Sequence, residues 1–173
     1  MKKITVLMLA LLLFAAVLPA GTAEETAAPA RPTMKEATYT CQGSVPWVDM
    51  QYTDPENRTW IEVYLLKKGV VEPNMGEIEQ DGETYSIVGI QTIDPNNPDQ
   101  YIVLEDGTTR LVTDLYLGSG DPPQPGEEVF LTVGLTGSDG EEAVGELIPI
   151  TVPELNGSVT GVPASAAESP ADA

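Results

Sequence analysis

The chain has 173 residues, no histidine, one cysteine, and 27 Asp and Glu against 8 Lys and Arg, for a formal net charge of −19. With no imidazole and a single thiol it cannot assemble His-ligated zinc sites, Ser-His-Asp triads, Cys-His nucleophile pairs or an intramolecular disulfide. Its acidity repels phosphate backbones and anionic headgroups, so nucleic acid is not an expected partner, and neutral or cationic protein or glycan is.

Lys2 and Lys3 precede an uncharged apolar run, Ile4 to Leu18, of signal-peptide rather than membrane-span length. Small residues at Gly21 and Ala23 mark a cleavage site before Glu24, and the bond after Ala20 is the second choice. Residues 1–23 are therefore expected to be a signal peptide, and the mature chain is expected to have no membrane span and to work outside the cytoplasm, secreted or associated with the cell envelope. Removing the signal leaves six cationic residues against 27 carboxylates, a net charge of −21. The plainest role for that charge is to keep an exported protein soluble.

Residues 24–36 are rich in Ala, Pro and Thr without an apolar period and read as a flexible linker. A β domain is expected over 37–152. Its first strand is Ala37 to Gln42, where Cys41 is expected to be a buried, inert thiol. Trp47, Tyr52, Trp60 and Tyr64 follow. They are either core, as a domain without disulfides needs large buried side chains, or an aromatic platform for a sugar or protein, with Trp47 and Trp60 as the ligand-binding candidates.

Residues 54–68 carry opposing signals. Thr53-Asp54-Pro55-Glu56 has capping-box spacing and Lys67-Lys68-Gly69 resembles a helix end. Trp60, Ile61, Val63 and Tyr64 are β-formers in alternation, and strand is preferred. Met75 to Gln80 and Thr84 to Ile93 flank Asp81-Gly82, a strong hairpin signal. Tyr101 to Leu104 and Thr108 to Leu117 flank Asp106-Gly107 in the same way. A strand from Glu127 to Leu135 should place Val129, Leu131 and Val133 on one buried face, with Phe130 on the other. The last strand is expected over Val144 to Val152, with Pro149 on an edge. Residues 153–173 are Ala, Ser, Pro, Gly and Glu with isolated valines, and they read as a disordered tail.

Between the hairpins, Asp94-Pro95-Asn96-Asn97-Pro98-Asp99 is an oxygen-rich loop. Asp94 and Asp99 are candidate calcium ligands, though the spacing matches no calcium loop and turn chemistry explains these residues more simply. Gly137 to Glu142 invites the same two readings.

The run Gly76-Glu77-Ile78-Glu79, Tyr85 to Ile90, Tyr101-Ile102-Val103-Leu104-Glu105-Asp106-Gly107-Thr108-Thr109 and Pro125-Gly126-Glu127-Glu128-Val129 resembles small OB-like β-barrel domains of bacterial exported proteins. The resemblance covers about residues 76–133 and rests on turn motifs. It implies an all-β, five- to seven-stranded OB-like barrel. Two departures stand out: Gly118 to Gly126 cannot form the helix common between the third and fourth strands, and the basic groove of nucleic-acid-binding OB folds is missing. An immunoglobulin-like β-sandwich is the alternative architecture.

No spacing singles out a catalytic carboxylate pair. The expected function is a non-catalytic exported accessory or interaction protein that needs no cofactor. The alternative is a carbohydrate-binding module using exposed aromatics, Trp47 or Trp60.

Overall fold

A computed structural model describes residues 30–43, 45–69, 75–118 and 122–167. The expected signal peptide, most of the expected linker and the last six residues lie outside the described residues. Regular secondary structure in the rest is almost entirely strand. One antiparallel sheet contains β1 (Thr33–Gln42), β2 (Val45–Thr53), β6 (Tyr101–Val103), β7 (Thr109–Asp114) and β12 (Ser158–Gly161), in the order β12-β1-β2-β7-β6. The other contains β3 (Trp60–Lys68), β4 (Glu77–Gln80), β5 (Glu83–Ile93), β9 (Glu128–Thr136) and β10 (Glu142–Val144), in the order β10-β9-β3-β5-β4. To these, β8 (Tyr116–Leu117) adds on β5 and β11 (Ile148–Thr151) adds on β9, and the only helix among the described residues is the single turn α1 (Ala164–Ala167).

The two sheets curl into an all-β half-barrel around one shared core. Period-2 alternation puts Val48, Met50 and Tyr52 of β2 inside, facing Ile61, Val63 and Leu65 of β3 and Val129, Leu131, Val133 and Leu135 of β9. All four β9 residues are fully buried, so the expected phase of that strand holds. Phe130 points the other way, into a smaller cluster on the outer face of the second sheet with Tyr64, Leu66 and Ile87. A register shift at Leu65/Leu66 opposite β5 accompanies the burial of both faces of β3.

Turn chemistry sets the hairpins. Asp81 and Gly82 both have positive φ, 54° and 79°, which makes the two-residue turn between β4 and β5. At the second hairpin only Gly107 is left-handed: its N–H bonds to the Leu104 carbonyl while the Leu104 N–H bonds to Thr108, giving a longer loop than a bare Asp-Gly turn. Residues 60–68 are strand. The signals for a helix there belong to the loop before it, where both Asp54 carboxylate oxygens accept backbone N–H groups, from Glu56 and Arg58.

Several boundaries differ from the sequence-based expectation. Thr108 to Leu117 is not one strand: the Leu115 N–H bonds to the Pro46 carbonyl, and the chain then crosses to the other sheet as β8. Val144 to Val152 divides at Gly145, whose N–H bonds to Val133, so that β10 and β11 both pair with β9. Pro149 lies on β11, which pairs on one side only, as its missing N–H requires. The expected linker is already strand from Thr33, because Met34 is buried against the core. The expected tail is not disordered over 158–161. There β12 pairs with Ala37 to Thr40 of β1, and hydroxyl bonds link Thr38 to Thr160 (2.8 Å) and Thr40 to Ser158 (2.9 Å). This strand is held by backbone and hydroxyl groups more than by apolar burial, which is why composition hides it.

Candidate functional site

Because Val48, Met50 and Tyr52 face the core, Val45 and Trp47 must face out. Trp47 is 38% exposed and lies in register between Thr40 of β1 and Asp114 of β7. Two residues past Asp114 the chain has crossed to the second sheet, and this puts Tyr116 out in solvent at 69% exposure. Leu155, just past Val152, is 64% exposed. Trp47, Tyr116, Leu155 and Val45 gather at one end of the half-barrel.

At that end a cleft of about 170 Å³ opens between the sheets, lined by Tyr39, Cys41, Pro46, Leu117 and further prolines including Pro122 and Pro153. Proline rings have no N–H to satisfy, and their fixed φ makes a stiff apolar wall. Cys41 is a free, half-buried thiol in this wall rather than a fully buried one. The adjoining Tyr39 hydroxyl is pushed far above its ordinary range, first by burial and then by the neighbouring thiol, so it stays a neutral phenol. What this arrangement offers chemically is a mostly apolar, proline-walled surface. Exposed apolar groups gathered around one cleft are the usual mark of a contact site.

Trp60 is also exposed, at 56%, but it begins β3 on the other sheet, beyond the far end of β2. The four aromatics do not form one platform, since Tyr52 and Tyr64 are buried and the two tryptophans are on different sheets. Core packing does not describe the tryptophans either. Ile61 pairs with Ile93, which puts Trp60 at the same end as the loop that starts at Asp94. A second, more polar cleft of about 210 Å³ lies there, lined in part by Tyr52, Asp54, Arg58, Pro95 and Tyr101.

Asp94 and Asp99 are both exposed. The Asp94 carboxylate is occupied by its own turn, accepting from the Asn96 N–H at 2.9 Å and the Asn96 amide at 3.0 Å. The Asp99 N–H donates in turn to the Asn97 side chain at 3.0 Å. The loop at 137–142 repeats the motif, with Asp139 accepting from the Glu141 N–H. These are Asx turns. Among the described residues no three His, Cys, Asp or Glu side chains converge as metal ligands would.

Sequence reasoning singled out Trp47 and missed Val45, Tyr116 and Leu155. For Val45 the signal was present, since it shares the outward phase of Trp47. Tyr116 could not be placed, because the strand containing it changes sheet. No family model, no curated protein and no solved structure matches the chain.

Proposed function

We propose that the chain is an exported, non-catalytic interaction protein that works outside the cytoplasm and receives apolar side chains of a protein partner in the cleft beside Trp47. The observation that carries this reading is the exposure of four large apolar residues near that cleft: Val45 and Leu155 line it, Tyr116 lines an adjoining depression that shares Val45, and Trp47 follows Val45 on the outward face of β2. The chain's acidity and the exposed Asp114 beside Trp47 favour a partner with cationic groups flanking its apolar ones. The resemblance to OB-like domains of exported proteins is in keeping with such a role.

The reading is tested in the producing cell with photo-cross-linking side chains at positions 47 and 116, and at the outward position 151 as control. A discrete adduct at 47 and 116 and none at 151 is expected. Identical patterns at all three positions, or turnover of a glycan, peptide or ester by the purified protein, would overturn it.

A carbohydrate-binding module is the second reading, favoured by the exposure of both Trp47 and Trp60. The outward face beside Trp47 carries the paired hydroxyls of Thr38, Thr40, Ser158 and Thr160, and sugars are recognised by such hydroxyls next to an aromatic face. Loss of glycan-array binding in Trp47→Ala or Trp60→Ala would support it. A protein that binds no glycan would remove it.

A further inference from the structure

On the outer face of the second sheet two carboxylates meet one phenol. The Tyr64 hydroxyl oxygen lies 2.7 Å from Glu62 Oε2 and 2.7 Å from Glu142 Oε1. Glu62 and Tyr64 belong to β3 and Glu142 to the edge strand β10, so the contact reaches across β9, which lies between those two strands. It can do so because position 134 of β9 is glycine. A Cβ there would collide with Glu142 Oε1 and lie 2.5 Å from Tyr64 Cε2. Glycine weakens a strand interior, and here its bare backbone leaves room for the phenol and the acid to meet.

The hydrogens of this contact do not balance. A phenol has one hydrogen to donate, and an ionised carboxylate has none. Tyr64 is only 4% exposed, and burial, followed by its hydrogen bonds to Glu142 and Glu62, pushes its hydroxyl far above the ordinary range, so it keeps its proton. With both acids ionised, that proton serves one carboxylate and leaves the other with its lone pairs against the phenol oxygen. Glu62 is the tethered acid, since its other oxygen accepts from the Thr92 hydroxyl at 3.3 Å. Glu142 is exposed, which leaves it free to depart. No cation offsets the two acids. In the pairing register β9 sets Thr132 and Gly134 beside Tyr64 and Glu62, and β5 sets Ile90 and Thr92 there. The loop before β10 adds only acids, Asp139 and Glu141, and Glu146 after it accepts from Ser165. Among the described residues Arg31, Lys35, Arg58, Lys67, Lys68 and Arg110 all pair with other carboxylates.

We propose that Glu62, Tyr64 and Glu142 form a proton-operated latch on β10. In the closed state the phenol donates to Glu62, and a protonated Glu142 donates to the phenol oxygen. When Glu142 gives its proton to water, repulsion replaces that hydrogen bond and the side chain turns out into solvent. The edge strand is then held by its three residue pairs with β9, Glu142 with Thr136, Ala143 with Leu135 and Val144 with Gly134. Because the extra proton is bound only in the closed state, the latch closes as pH falls and opens as pH rises.

The test is NMR of the protein at about pH 4.5 and about pH 8, on either side of a carboxyl-linked transition. Cross-relaxation between the Tyr64 ring and the Glu142 side chain is expected at the lower pH and should fall about threefold or more at the higher one. Protection of the Ala143 and Gly145 amides should fall with it, while that of the β1 amides should not. In Glu142→Gln the side-chain amide donates to the phenol without needing a proton from water, so the contact should persist at both pH values. In Tyr64→Phe the protection of β10 should lose its pH dependence. The proposal is overturned if the wild-type contact is undiminished at the higher pH, if it is absent at both, or if Glu142→Gln responds to pH as the wild type does. Glu142→Gln alters an exposed side chain, so it decides the matter even if Tyr64→Phe packs poorly.

Discussion

The guanidinium of Arg58 is held 2.6 Å from the Asp54 carboxylate at a place where only 2% and 7% of the two side chains meet solvent. Asp54 also accepts the Arg58 N–H at 2.6 Å, and the guanidinium reaches Glu56 at 2.6 Å and the Ala30 carbonyl at 2.9 Å. Breaking a buried pair from one side strands the other charge, so Asp54→Ala should cost about 3 kcal/mol. Glu56 is 47% exposed, and Glu56→Ala should cost less than about 1 kcal/mol. Urea unfolding of the two variants measures the difference, and equal losses would show that the pair is not buried in solution.

The same residues explain where the sequence was hard to read. Thr53-Asp54-Pro55-Glu56 has the spacing of a helix cap because an Asp that binds nearby backbone N–H groups is useful before a helix and in a tight loop alike. Only the buried Arg58 separates the cases, and burial of an arginine is not a local property. Strands with strict alternation, β9 above all, were legible for the opposite reason, since a one-residue slip would expose Leu131 and its neighbours. In β2 the alternation of Val48, Met50 and Tyr52 was equally clear, but the tryptophan just before them drew attention to binding instead of to phase.

Asp106 supplies a pH dependence. The Thr108 N–H and hydroxyl, followed by Lys35, lower its pKa from 3.8 to about 2. A depressed carboxyl stabilises the fold at pH values above its unfolded pKa and loses that contribution as pH falls through the folded one. Stability should therefore decline between about pH 4 and pH 2, and Asp106→Asn should flatten the decline in that window while lowering stability at neutral pH. Melting curves at pH 2, 3, 4 and 7 check this, and parallel wild-type and Asp106→Asn profiles would remove Asp106 as the cause.

The core phase predicts a contrast between neighbours. Leu131 is fully buried and lies between Leu65 and Ile148 in the pairing register. Leu131→Ala should leave a cavity and cost about 2–5 kcal/mol. Phe130 is only partly buried, in the outer cluster, and Phe130→Ala should cost less. Chemical denaturation orders the two, and a reversed order would place the main core on the other face of β9.

The proposed export predicts a defined N-terminus. Mature protein recovered from outside the cytoplasm should begin at Glu24, or at Gly21 if the second site is used. N-terminal sequencing decides it, and recovery of Met1 would show that the leader is retained.

The last prediction concerns the end of the described chain. Removal of 153–173 strips β12 from β1, leaving the β12-facing backbone groups of Ala37 to Thr40 unpaired and uncovering the part of the core on which Val159 packs. Removal of 168–173 alone leaves that pairing intact. The shorter truncation should melt like the full chain, and the longer one should melt lower, with faster amide exchange in β1. A point substitution separates pairing from mere chain length. At Gly161 an added Cβ would lie 2.6 Å from the Pro149 carbonyl and 2.8 Å from the side chains of Ile148 and Ile150, and a backbone carbonyl cannot move aside as a flexible side chain can. Gly161→Ala should thus push β12 away from β11 at a cost of about 1–3 kcal/mol. Near-wild-type melting of both Gly161→Ala and the longer truncation would mean that β12 adds nothing to the stability of the folded domain.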